Sequence, residues 1–319
     1  MKKILIITGP TATGKTALSL NLAKKFNGEL VACDSRQVYQ DLDIGTGKLP
    51  DQKVSLKKGK GWWEIDEVKV WMYDVTSLDK QYTVANYVKD ASERVYDISA
   101  RGKLPIIVGG TGLYLKALIE GLENLQVPID KKLRNKLKNL TLLQLQDKLQ
   151  KISPQRWEKL NNSERNNPRR LLRSIELLSM NPYAKTKINY SGLDKRFDVL
   201  KIGLTAPRQN LYKKSDSRIL DWFNQGIIEE VKSLISAGVT IDRFYALGLE
   251  YSLIADFIQG KIESLEDLKD RMQGSLHSYI RRQQTWFKKD QSINWFDISQ
   301  GKFLGEVEKL VAKWYDRSN

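Results

Sequence analysis

Residues 9–16 read Gly9-Pro10-Thr11-Ala12-Thr13-Gly14-Lys15-Thr16, directly behind the apolar run Ile4-Leu5-Ile6-Ile7. The spacing Gly-x4-Gly-Lys-Thr, between a short β-branched strand and an amphipathic segment, is that of a phosphate-binding loop. Its glycines let the backbone curl so that several N–H groups point inward at the positive end of the next helix. Lys15 adds a point charge, and Thr16 offers a hydroxyl to Mg2+. The motif leaves its ligand open: a nucleoside triphosphate is the default, and a diphosphate leaving group suits the same cradle. The second group with chemistry is Asp34, at the end of the apolar stretch 29–33. Ligands of open parallel sheets bind outside the carboxyl ends of the strands, which puts Asp34 beside the loop, as a catalytic or binding carboxylate or as a helix N-cap.

What is scarce narrows the chemistry further. The 319 residues contain one cysteine, Cys33, and one histidine, His277. An internal disulfide and a cysteine-cluster zinc site are therefore excluded, a histidine-based metal centre or Ser-His-Asp triad is not expected, and catalysis rests on carboxylates, Lys, Arg, hydroxyls and a divalent cation. The lone cysteine and the start directly into a strand point to a cytoplasmic protein without a signal peptide, and no apolar stretch is long enough to span a membrane.

The elements that must position these groups follow a strand–helix alternation. Strands are expected at 29–33, 104–108, 197–204 and 293–296, with helices at 83–100, 113–119, 211–223, 227–237, 252–259, 265–286 and 303–315. Residues 43–50 form a turn-rich loop, and 54–73, with Trp62, Trp63 and Trp71, reads as a hairpin packed on the core. The strand 104–108 ends in Gly109-Gly110-Thr111-Gly112 and not in the Asp of an ATPase strand. Between 121 and 200 strands vanish and charged helical patterns take over, at 131–138, 141–151, 154–160 and 168–180. The last opens with Asn167 before Pro168, an N-cap and first-turn pair. The chain carries a net charge of +15, and from Glu123 to Leu200 it holds 17 Lys+Arg against 8 Asp+Glu. A polyanion is the natural partner of such a segment. Arg169 and Arg173 share a helix face with Arg170 adjacent. The expected architecture is an α/β P-loop nucleoside-triphosphate-hydrolase-like parallel sheet, 1–120 with 201–319, interrupted by an all-helical insertion at 121–200.

With the segments in order, the chain resembles the bacterial type of tRNA dimethylallyltransferase (tRNA isopentenyltransferase). The resemblance rests on DSRQVYQDLDIGTGKLP after the second strand, PIIVGGTGLYLKAL, NNPRRLLRSIEL in the insertion and RRQQTWF near the C-terminus. It implies transfer of a dimethylallyl group from dimethylallyl diphosphate to N6 of adenosine 37, in tRNAs reading codons that begin with U. Gly9 to Thr16 would then cradle the diphosphate, with Lys15, Arg218 and a Mg2+ on Thr16 countering its charge. Asp34 matches the family's acid/base carboxylate. Ser35, Arg36 and Gln37 match its adenosine-reading stretch, and Thr111 the contact beside it. Arg134 and the run Arg169, Arg170, Leu171, Leu172, Arg173 match its contacts to the tRNA anticodon stem-loop.

Some positions depart from the family. Its His-His pair is replaced at Val70-Trp71, the stretch 51–69 adds the hairpin, and its Gly-Tyr-basic-Glu motif appears as Gly248-Leu249-Glu250-Tyr251. A monomer is expected. A small-molecule kinase and a prenyltransferase of free adenine nucleotides explain the first 40 residues, but not the basic insertion. An RNA-binding protein with a vestigial loop conflicts with the intact Gly14-Lys15-Thr16 and Asp34.

Overall fold

The run Ile4–Ile7 has no exposed surface at all and lies in the middle of an eight-stranded sheet. The computed structural model describes residues 2–49, 54–125, 127–180 and 192–318. Its strands are β1 (Lys3–Thr8), β2 (Gly28–Ala32), β3 (Leu56–Gly59), β4 (Trp62–Ile65), β5 (Val68–Trp71), β6 (Leu104–Val108), β7 (Asp198–Thr205) and β8 (Ile293–Asp297). They lie in the order β3-β4-β5-β2-β6-β1-β7-β8. From β5 to β8 every pairing is parallel. Parallel strands covered on both faces become continuous apolar runs, which is why β1 and β6 read as IL-rich blocks without alternation.

The expected hairpin is a three-stranded extension of this sheet. β3–β4 and β4–β5 are antiparallel, and β5 pairs in parallel with β2, carrying the extension into the core. The second reversal escapes sequence inspection because it uses Asp66 and Glu67, both at positive φ (51° and 66°), instead of glycine. Trp63 is fully buried and its indole donates to Asp74 at 2.6 Å. Trp71, standing at the second position of the missing His-His pair, donates to Glu29 at 2.8 Å. Arg101 grips the same Glu29 carboxylate through both its terminal nitrogens at 2.7 Å, and Lys103 adds a bond at 2.8 Å. Burial opposes ionisation of Glu29, but these donors prevail and hold its carboxyl at about 2.

The chain divides into two compact units, Met1–Gly121 with Ser191–Asn319, and Leu122–Tyr190. Residues 192–200, expected in the insertion, go with the sheet because β7 pairs along β1 from Lys3↔Asp198 onward. The second unit is helical: Lys131–Leu137, Leu142–Ile152, Pro154–Glu158, Asn162–Arg165 and Pro168–Met180. Asn167 caps the last of these, its Oδ1 accepting from the Arg170 amide at 3.3 Å. Leu137, Leu145, Leu149, Leu160, Leu171 and Ile175 form its core. Pro50, Asp51 and residues 181–191, which the sequence assigned to the turn-rich loop, the added stretch and the insertion, lie outside the described residues. Among the described residues no helix is long and apolar enough to cross a membrane.

Candidate active site

The end of β1 is where the chain must turn sharply. Gly9 sits at φ 132°, and a Cβ there would lie 2.2 Å from the Leu204 carbonyl oxygen of β7, so only glycine fits. Gly14, left-handed at φ 75°, caps the helix Lys15–Lys25. Inside the loop, the Pro10 carbonyl accepts from Thr13 Oγ1 at 2.9 Å and from Lys15 Nζ at 2.7 Å. The Lys15 ammonium is thus folded back over its own loop. Burial first, and then the positive charge of Arg218, lower its pKa to about 7 against the opposing pull of Asp34. Thr16 follows on the first helical turn, half-buried.

Arg218 comes from the helix Arg208–Asn224 and donates to Thr11 Oγ1 at 3.4 Å, with its guanidinium 5.2 Å from the Trp222 ring. It passes directly against Gly47, where a Cβ would stand 1.5 Å from its Nη2. The glycine in DIGTGK is therefore the gap through which this arginine reaches the loop. Lys48 of the same motif has another task. Its buried ammonium donates to the Tyr39 carbonyl at 2.8 Å and pairs with Asp74 and, at 2.8 Å, with Asp43. It ties residues 39–48 to the end of the β3–β5 extension.

Asp34 lies just past β2. Its Oδ1 accepts from the Arg36 amide at 2.9 Å, a local turn that fixes the carboxylate. On the other side, Thr111 Oγ1 accepts from the Ser35 amide at 3.1 Å, and the Thr111 amide donates to the Cys33 carbonyl at 3.2 Å. The neighbouring side chains are engaged within the protein: Arg36 pairs with the buried Glu250, and Gln37 donates to the Thr46 carbonyl at 3.1 Å. Arg36 also stands 5.8 Å from the Tyr279 ring. Burial first, with the Asp34 charge, pushes the Tyr279 hydroxyl up to about 12, so it stays protonated and able to donate. Cys33 is pushed up to about 12, first by burial, and is no nucleophile at neutral pH. His277 lies against Tyr212, 4.0 Å between ring centres, and pairs with Asp216 at 2.8 Å.

Sequence reasoning missed three residues of this region. Glu250 and Tyr279 lacked any motif signal except the shifted acid in Gly248-Leu249-Glu250-Tyr251. Gln283, in RRQQTWF, was quoted for resemblance but given no role. It accepts from the Thr11 amide at 2.9 Å and donates to the Gly110 carbonyl at 3.0 Å.

In the helical unit the residues of the expected RNA edge have internal partners. Arg134 and Arg173 both hold the carboxylate of Glu176, which has no exposed surface. Arg134 makes bonds of 3.0 and 2.9 Å to it, and Arg173 one of 2.6 Å. Arg173 also donates to the carbonyls of Asn124 and Val127. These two arginines staple the unit together. Leu171 is fully buried in the unit's core, and Leu172 packs against it, so neither offers a free side chain. Arg169 and Arg170 are exposed; Arg170 pairs with Glu164 at 3.3 Å.

Fold and site together define an α/β protein with a glycine-turned loop whose lysine feels the charge of a nearby carboxylate. A family model described as IPP transferase matches residues 37–290, and one described as isopentenyl transferase matches residues 2–62. The chain belongs to the tRNA dimethylallyltransferase family. A tRNA dimethylallyltransferase of Halothermothrix orenii is 34% identical over 96% of this chain and 92% of its own length. One from Bacillus cereus is 31% identical over 100% and 97%. The crystal structure of the tRNA isopentenylpyrophosphate transferase of Bacillus halodurans is 30% identical, with a TM-score of 0.70 over 98% of this chain and 96% of that one. A eukaryotic dimethylallyltransferase described as acting on tRNA is 25% identical, with a TM-score of 0.74 over 99% of this chain and 79% of its own.

Proposed function

We propose that this chain transfers the dimethylallyl group of dimethylallyl diphosphate to N6 of adenosine 37 in tRNAs that read codons beginning with U, releasing diphosphate. The observation that carries the reading is the placement of Arg218 and Asp34 close enough for their charges to act on Lys15 at the mouth of the loop 9–16. In fold terms the sheet unit is then a P-loop nucleoside-triphosphate-hydrolase-like core adapted to a diphosphate leaving group.

The residues divide the work on electrostatic grounds. As the allylic C–O bond breaks, negative charge grows on the departing diphosphate. The loop amides, Lys15 and Arg218 face that charge without having to reorganise. Lys15 exchanges the Pro10 carbonyl for a phosphate oxygen and regains its full charge. The nucleophile is an exocyclic amine whose lone pair is delocalised into the adenine ring. Asp34 accepts the proton as nitrogen attacks carbon, and the turn through the Arg36 amide keeps its carboxylate in place. Tyr279, Arg36 and Thr111 surround the base, and the adenine must leave its stack in the anticodon loop to enter.

A divalent cation fits the donor set. Among the described residues no group of three or more His, Cys, Asp or Glu forms a protein-only cage. Mg2+ needs only one or two protein oxygens when phosphates and water complete its shell, and Thr16 supplies a hard oxygen on the first turn of the helix. When bound, the ion spreads the charge of the leaving diphosphate.

The helical unit contributes affinity for the anticodon stem-loop through its exposed cations, Arg169 and Arg170 among them. The protein is proposed to act as a cytoplasmic monomer. The test is incubation with dimethylallyl diphosphate and an anticodon stem-loop carrying adenosines at positions 36 and 37, followed by nucleoside mass analysis. Prenylated adenosine is expected at position 37. Phosphoryl transfer from ATP to a small acceptor, with no prenylated nucleoside, would return the chain to the kinase reading.

A further inference from the structure

We infer that Gln283 is a positioning residue that clamps the loop 9–16 to the turn 109–112, holding the diphosphate loop and Asp34 in one rigid frame. The inference rests on the prenyl-transfer reading above. Gln283 lies near the end of the helix Leu265–Phe287 and is only 5% exposed, although glutamine ordinarily faces solvent. Both ends of its carboxamide are engaged, Oε1 by the Thr11 amide at 2.9 Å and Nε2 by the Gly110 carbonyl at 3.0 Å. A Cβ on Gly110 would stand 2.3 Å from Nε2, so the absence of a side chain there is what admits the clamp.

The connection continues through one residue. Thr111, next to Gly110, accepts from the Ser35 amide at 3.1 Å and donates its own amide to the Cys33 carbonyl at 3.2 Å. It thereby holds the chain on both sides of Asp34. From Thr11, whose hydroxyl receives Arg218, to the carboxylate that takes the proton, the path is one side chain and one turn. The chemistry selects glutamine. An amide N–H can only donate and a carbonyl can only accept, so the bridge needs a neutral group offering both functions, with its orientation fixed by those partners. Glutamate would keep the Thr11 bond, set lone pairs against the Gly110 carbonyl and place a negative charge beside the diphosphate.

Gln283→Met, close in size and apolar, tests the clamp in the full-length protein. Four quantities are measured: melting temperature, affinity for inorganic pyrophosphate, affinity for the anticodon stem-loop, and single-turnover prenyl transfer at saturating substrates. The expected result is a melting temperature lowered by roughly a few degrees at most and an unchanged stem-loop affinity, with pyrophosphate binding about tenfold weaker from the lost hydrogen bonds. Transfer is expected to slow about 100-fold through misplacement of the loop relative to Asp34. Gln283→Glu is expected to weaken pyrophosphate binding further. Wild-type pyrophosphate affinity and rate in Gln283→Met would overturn the inference. So would a parallel loss of melting temperature, pyrophosphate binding and stem-loop binding, which marks general loosening of the helix. Because pyrophosphate binding is read without prenyl transfer, an inactive wild-type protein would count against the reaction and leave the clamp measured on its own.

Discussion

In the proposed reaction Asp34 takes a proton from a nitrogen that gives it up only as the new C–N bond forms, so its value lies in position more than in basicity. Replacing it by Asn keeps the shape and the acceptor for the Arg36 amide while removing the base. Single-turnover transfer by Asp34→Asn is expected to fall about 10²- to 10⁴-fold, with stem-loop affinity unchanged in a binding titration. An unaltered rate would remove Asp34 from the base role. Lys15 makes a prediction in pH. Burial, aided by Arg218, holds it at about 7, well below an ordinary lysine. A lowered lysine costs folding stability at low pH, and that cost fades as pH rises from about 7 towards the ordinary 10.5. Binding an anion works in the opposite sense, because it restores the charge and takes up a proton. The advantage of wild type over Lys15→Met in pyrophosphate affinity should therefore shrink above pH ~7, approaching tenfold per pH unit. Calorimetry in two buffers of different ionisation enthalpy, run on both proteins, measures that difference directly.

At the scale of elements, the basic helix Pro168–Met180 carries two unlike sets of arginines. Arg173, joined by Arg134 from the helix Lys131–Leu137, closes the unit around Glu176. Burial resists ionisation of that carboxylate, but the two guanidinium groups and the Asp130 amide hold it below the usual carboxylate range. Its contribution is complete above the ordinary glutamate pKa of about 4.3 and is lost as pH falls below it. Glu176→Gln leaves two cations facing a neutral amide. The arginines are 33% and 29% exposed, so solvent softens the loss, and a destabilisation of about 2 kcal/mol is expected. Denaturant unfolding of the full chain checks it, and the variant should lose part of the acid sensitivity of wild type. Unchanged stability would show that the staple is incidental.

Across the whole molecule the charge of +15 is the term most visible to a polyanion. Exposed cations are the ones placed to replace counterions on RNA. Arg134 and Arg173 are committed to a buried acid. Arg170 is joined to Glu164 by an exposed pair that contributes little and can be exchanged for phosphate. Changing both Arg169 and Arg170 to Ala is expected to weaken stem-loop binding and to flatten its log–log salt dependence by about 1.4 to 1.8, the value for two phosphate contacts. Titrations at several salt concentrations measure the slope. A full slope would move the RNA contacts to other cations of the chain.

The sequence alone determined the loop 9–16, the strand ends that carry Asp34 and Thr111, and the helical character of the insertion. Each depends on a local property: glycine at a forced turn, an apolar run, a cap or a helical period. Only the tertiary structure decided what depends on distant partners. Arg218 is 207 residues from Thr11, and it reaches the loop because Gly47 leaves a gap. Gln283 is 272 residues from Thr11, and nothing in its neighbourhood announces that both ends of its amide are bonded. Arg169 and Arg173 look equivalent in a helical count. Glu176, three residues further along, holds Arg173 in an internal ion pair, because a buried carboxylate requires a counter-charge.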